Sequence, residues 1–218
     1  MKKQGFNLIA IFLVAAFSIH LGLAQAPQSF QGVIEFTKAT LMDTTGYIYY
    51  VKNDMVRIEE IGSDKKVAGV FLVNTKTGKA KALSPERQLY MDQGPVITQL
   101  SKMKNAEIIK GKSTKTIAGY KCKEFIVKNK DQNTQITYYL VKDNFQFFEG
   151  LLIALNRKDK FSTYYQHLPD LENTFPFHAI EADLNGKQRS SLLVTNITKK
   201  DLEDHLFEVP KEYKKFEK

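Results

Sequence analysis

The chain has 218 residues, a net charge of +8, 43% hydrophobic and 26% charged residues, fifteen phenylalanines, ten tyrosines, no tryptophan and one cysteine. Such a length suits one domain with a substantial core, and the lone Cys122 excludes a disulfide-stapled scaffold. The lysines are dispersed rather than interleaved with aromatics, which argues against a nucleic-acid platform.

Met1-Lys2-Lys3, the apolar run Leu8 to Phe17 and the small residues around Ala24 read as a secretory signal peptide over 1–24, too short for a membrane span. Cleavage after Ala24 is preferred, because cutting after Ala26 would leave Pro27 at the new N-terminus. No cysteine follows either site, so a lipid anchor is not expected and membrane contact is at most peripheral. Removing Met1 to Ala24 takes away two lysines, lowering the net charge to +6 and leaving 25–218 as a single β domain, exported to the periplasm or beyond and monomeric.

Gly32 to Thr40 alternates, with Ile34 and Phe36 on one face and Glu35 and Thr37 on the other. Tyr47 to Lys52, a turn at Asn53-Asp54, and Met55 to Ile61 continue an antiparallel meander. Val67 to Asn74, Lys79 to Leu83 and Gln88 to Asp92 add strands around the turns Thr75 to Gly78 and Ser84-Pro85-Glu86. Pro95 to Lys104 spaces Val96, Leu100 and Met103 as a short amphipathic helix.

Ile117 to Lys142 holds two runs rich in β-branched and aromatic residues around Asn129 to Asn133, the pattern of an antiparallel hairpin. Apolar residues fall on both parities, which predicts a central position in a sheet covered on both faces. Cys122 lies in this hairpin and reads as a buried thiol acting as a small hydrophobe. Asn144 caps a predicted helix to Asn156, with Phe145, Phe148, Leu152 and Leu155 on one face and Ile153 and Ala154 widening the stripe. Phe161 to Leu168 reads as a helical turn or a strand. Phe175 to Leu184 and Lys187 to Thr198 flank Asn185-Gly186, which predicts a tight primed turn, and Lys200 to Phe207 makes a last helical turn.

Catalytic signatures are missing. His167, His178 and His205 lack metal-ligand spacing, and no Cys-x-x-Cys occurs. Ser101 to Lys104 and Lys76-Thr77-Gly78 match fragments of a penicillin-binding signature in the wrong order. Gly111-Lys112-Ser113 lacks the glycine a phosphate loop needs five positions earlier, where Ala106 stands. Glu59 and Glu60 point to opposite strand faces and cannot act as an acid–base pair. No catalytic residue, metal or cofactor is therefore expected.

Gly32-Val33-Ile34-Glu35-Phe36, Asp54-Met55-Val56-Arg57-Ile58-Glu59, Ile117-Ala118-Gly119-Tyr120-Lys121-Cys122, Asn196-Ile197 and Phe207-Glu208-Val209-Pro210, with the leader, resemble the secreted domain-of-unknown-function family numbered 4412. That family is grouped with the LolA-like lipoprotein carriers. The resemblance implies a mainly β (α+β) fold: a curved, incompletely closed antiparallel β-barrel whose helices cover or plug an apolar concave face.

Together with tyrosines suited to cavity walls, these features predict an envelope protein carrying a lipid or a lipidated protein. Its hydrophobic cavity would involve Phe36, Tyr50, Ile58, Leu72, Phe125, Tyr139, Phe145, Phe148 and Leu152. The alternative is a non-catalytic interaction or structural module of the envelope with a filled core.

Overall fold

The structure, a computed structural model, describes residues 29–94 and 103–217. The leader and most of the helix expected at Pro95 to Lys104 lie outside those residues. Six strands open the described chain: β1 (Gly32–Thr40), β2 (Thr44–Lys52), β3 (Met55–Ile61), β4 (Val67–Asn74), β5 (Ala80–Ser84) and β6 (Leu89–Gln93). A second group, β7 (Ala106–Ile117), β8 (Tyr120–Asn129) and β9 (Thr134–Lys142), precedes helices α1 (Phe147–Leu155) and α2 (Lys160–Tyr165). The chain then runs through β10 (Thr174–Ala182), β11 (Gln188–Lys199), a 3-10 turn over Asp204–Phe207 and β12 (Lys214–Lys215).

All twelve strands form one sheet in the order β12-β6-β5-β4-β3-β2-β1-β11-β10-β9-β8-β7. Two antiparallel meanders are thus joined where β1 pairs with β11, and β12 adds in parallel to β6. Register shifts at Glu35/Phe36, Pro176/His178 and Lys110/Thr114 insert extra residues into one strand of a pair. Such bulges bend a strand and add to the natural twist. The result is a curved, incompletely closed barrel with β7 and β12 as its edges.

The main core lies on the concave side. Ile34, Val51, Val56, Val73 and Ile136 contribute to it from the strands, and Phe145, Leu151, Tyr164 and Tyr165 from the helices and their flanks. Cross-strand register explains the opposite side: Tyr50 faces Arg57, and Arg57 faces Leu72. There Val70, Leu72 and Leu83 form a smaller cluster under Val209 and Tyr213 of the C-terminal segment. Arg57 Nη1 and Lys52 Nζ hold that segment by donating to the carbonyls of Leu206 (3.2 Å) and Leu202 (2.7 Å).

Several local expectations are corrected. The Ile117 to Lys142 hairpin is not central, because β8 borders edge strand β7 and β9 comes next, between β8 and β10. Ile117 closes β7, and Ala118 and Gly119, at φ 47° and 82°, make the turn into β8. Both faces of β8 still bury residues: Cys122 and Val127, of opposite parity, are each fully buried, and Val127 pairs with Ile136.

The primed turn at Asn185-Gly186 is replaced by a longer loop. Gly186 N donates to Asp183 O (3.0 Å) and Asp183 N to Lys187 O (3.0 Å), with Gly186 alone in the loop at positive φ, 88°. That is a type I turn closed by a glycine bulge. Asp183 Oδ1 selects it by accepting from Asn185 N and Lys187 N at 3.0 and 2.9 Å.

Helix α1 is capped by Gln146 without a side-chain hydrogen bond, not by Asn144, whose carbonyl instead accepts from Phe30 N (2.7 Å). Ile153 is 42% exposed while Leu151 is fully buried, so the apolar stripe is rotated from the expected one. The segment after it is helical. Asp159 accepts from Ser162 N (3.2 Å) and Ser162 Oγ (2.9 Å), capping α2.

Candidate ligand crevice beneath helix α1

A cavity of about 80 Å³ remains between α1, α2 and the concave face. Strand β1 contributes Phe36 and Lys38, β2 contributes Tyr47 and Tyr49, and α1 contributes Phe148, Leu151, Leu152 and Leu155. Tyr138, Phe161, Phe175, Pro176, Ala179 and Leu192 complete the apolar wall, with Arg157, Asp159 and Ser162 as its polar part. Alternation puts Phe36 and Lys38 on one face of β1, and the register sets Phe36 opposite Tyr47. The Phe36 ring stacks on Tyr47 at 5.2 Å and meets Tyr49 edge-on at 4.8 Å.

The two helices are held differently. Helix α2 is pinned by hydroxyls: Tyr138 donates to Phe161 O (2.8 Å), Tyr164 to Gln132 Oε1 (2.6 Å) and Tyr165 to Thr174 O (3.0 Å). Helix α1 is held by apolar contact, such as Phe148 against Phe175 at 4.6 Å and Tyr165 at 5.1 Å. Among the described residues, none of its side chains hydrogen-bonds to the sheet. Gly150 lets α1 lie against the β4–β5 turn, because a Cβ there would stand 2.9 Å from Thr75 O.

Burial pushes the Tyr49 phenol up to about 12, an effect that nearby Arg157 partly opposes. Tyr47 is also raised, by burial first and then by Glu60 across the strand pair, with Arg157 again pulling down. The guanidinium carbon of Arg157 lies 5.9 Å from the Phe71 ring centre. No cluster of three or more acidic, histidine or cysteine side chains among the described residues is placed to hold a metal.

Of the residues expected at the cavity, Phe36, Phe148 and Leu152 line it. Ile58 and Phe145 lie in the surrounding core, and Phe125 packs half-buried against that core. Two are placed elsewhere, and Tyr139 lies in that core but away from the cavity lining. Tyr50 is on the convex side, where its hydroxyl donates to Glu59 Oε2 (3.3 Å), and Leu72 belongs to the smaller convex cluster. Tyr139 stacks on His178, donates to Glu124 Oε1 (3.0 Å) and lies under Lys115 Nζ at 4.2 Å. Leu151 and Arg157 went unannounced, and Tyr47 and Tyr49, although of a residue type suited to cavity walls, were not in the expected lining set. The signal for the tyrosines was the parity of β2, which sets 47 and 49 opposite 50.

An open antiparallel half-barrel with helices over its concave face is therefore the class this fold defines. The chain belongs to the family described as Domain of unknown function (DUF4412), whose profile matches residues 30–213. Comparison with curated proteins finds no match. Among solved structures, an uncharacterized conserved protein from Thermus thermophilus is similar at 9% identity and TM-score 0.53, over 86% of this chain and 90% of that one. The Pseudomonas aeruginosa MucA/MucB complex aligns at 11% identity and TM-score 0.48, over 84% of this chain and 56% of that one. A putative outer membrane lipoprotein-sorting protein domain from Vibrio parahaemolyticus aligns at 11% identity and TM-score 0.30, over 81% and 87%. The first of these supports the fold; the other two are too loose to carry an argument.

Proposed function

We propose that this is an exported, non-catalytic protein of the cell envelope that holds an apolar ligand, an acyl chain or a lipidated partner, beneath α1. The observation that carries the reading is the apolar crevice itself, left open under a helix that packs on the sheet through apolar contacts. The leader pattern at Met1 to Ala24 supports export. No helix among the described residues is long and apolar enough to cross a membrane.

Volume sets the mechanism. Ligand sites of drug-like size occupy about 300–1,000 Å³, so a cavity of about 80 Å³ admits only the end of a chain while α1 is down. Binding then requires α1 to lift from the sheet. The same volume favours a second reading, a filled-core interaction module of the envelope. N-phenylnaphthylamine, an uncharged fluorophore that brightens in apolar sites, separates the two. A saturable rise displaced by a long-chain alcohol is expected for the binding protein; no rise at all supports the filled module.

A further inference from the structure

Four hydrogen-bond donors at the crevice find no acceptor among the described residues. Tyr49 is only 9% exposed, yet its hydroxyl has no partner there, and neither does that of Tyr47. Both rings line the cavity, as do Arg157 and Lys38, and neither cation forms an ion pair with any described carboxylate. The Tyr49 ring is nine-tenths buried, but its oxygen still reaches the accessible space of the crevice, where the acceptor of a ligand can meet it.

Position supports convergence of these groups. Arg157 is near enough to both phenols to oppose the upward push of burial on each. Lys38 enters from β1 two residues beyond Phe36, whose ring touches both tyrosines. The acidic neighbours do not supply the missing acceptor. Asp159 faces the cavity, but its two oxygens accept from Ser162 N and Oγ. Glu60 stands opposite Tyr47 in the β2–β3 ladder, outside the cavity lining, and accepts no hydrogen bond from it.

Resting on the reading of an apolar ligand beneath α1, we infer that the ligand is an amphiphile with an anionic oxygen head, a carboxylate or phosphate. Its head is received by Tyr47, Tyr49, Arg157 and Lys38, and its chain runs under Leu151, Leu152 and Phe148. The present cavity accommodates the head and the first methylenes, and the rest of the chain takes the space that α1 vacates.

Calorimetric titration of the folded protein with monomeric oleate, oleyl alcohol, acetate and inorganic phosphate tests this, alongside Arg157→Gln and Tyr49→Phe. Oleate should bind at least tenfold more tightly than oleyl alcohol, and the small anions should not bind over the range where oleate saturates. Arg157→Gln should weaken oleate ten- to a hundredfold and Tyr49→Phe about tenfold, losses typical of hydrogen bonds to a charged group. Both should leave the alcohol within about twofold. Circular dichroism confirms that each variant is folded. Equal affinity for oleate and the alcohol, unchanged by either variant, overturns the anionic head while the apolar crevice stands. Tight binding of acetate or phosphate with no gain from the chain overturns the amphiphile in favour of a small-anion site. Binding of neither oleate nor the alcohol overturns this inference and the functional reading together.

Discussion

Tyr49 shows how one side chain connects stability to the site. Its phenol is held up to about 12 by burial, above the ordinary value of 10.0. The folded state therefore keeps the proton after the unfolded chain has lost it. The corresponding stability is complete below pH 10 and drains away as the pH rises to about 12, on the order of 2 to 3 kcal/mol for the full shift. Tyr138 and Tyr165 are also raised by burial and act in the same alkaline direction. Denaturant melts between pH 9 and 12 should show this loss, and Tyr49→Phe should shrink it without abolishing it. At the residue scale the sequence announced aromatic wall material but not its orientation. Three of the nine residues read as cavity-lining do line it, because β2 parity selects Tyr49 over Tyr50 and register carries Leu72 to the convex side. Cys122 is fully buried, and burial raises its thiol, as suits a small hydrophobe.

Among the elements, β1, β3 and β4 run over the residues expected of them, each an apolar, β-branched run bounded by turn residues. Strand β7 was unannounced: Lys110, Lys112, Ser113, Thr114, Lys115 and Thr116 give it no apolar period, as fits an edge strand guarded by lysines. Strand β12 has only two residues and exists through its pairing with β6. Helix α1 was legible from its phenylalanines, yet its cap and rotation depend on contacts with Phe175 and the Thr75 turn. Its lack of polar ties to the sheet makes it the element expected to open locally. In hydrogen exchange of ligand-free protein, amides of Leu151 to Leu155 should exchange faster than those of Phe125 to Val127, which lie in a strand paired on both sides. Added oleate should slow the α1 amides selectively; near-global protection of both segments without ligand would mean that α1 is a fixed plug.

For the whole molecule, the mainly β class and the half-barrel could be read from the spacing of strands and the family motifs. Strand order could not, since it depends on β11 returning to β1 across more than 140 intervening residues. The apparent centrality of the Cys122 hairpin came from burial on both faces, which here arises beside an edge. The assembled molecule places together an apolar crevice, four donors that meet no acceptor among the described residues and an apolar-held helix, and its proposed role as a carrier rests on that coincidence. Native mass spectrometry of the protein purified from its host envelope without detergent tests that role most directly. The expected spectrum contains a population heavier than the polypeptide by the mass of an acyl-chain amphiphile; a spectrum showing the bare polypeptide alone would contradict the carrier and leave a filled interaction module.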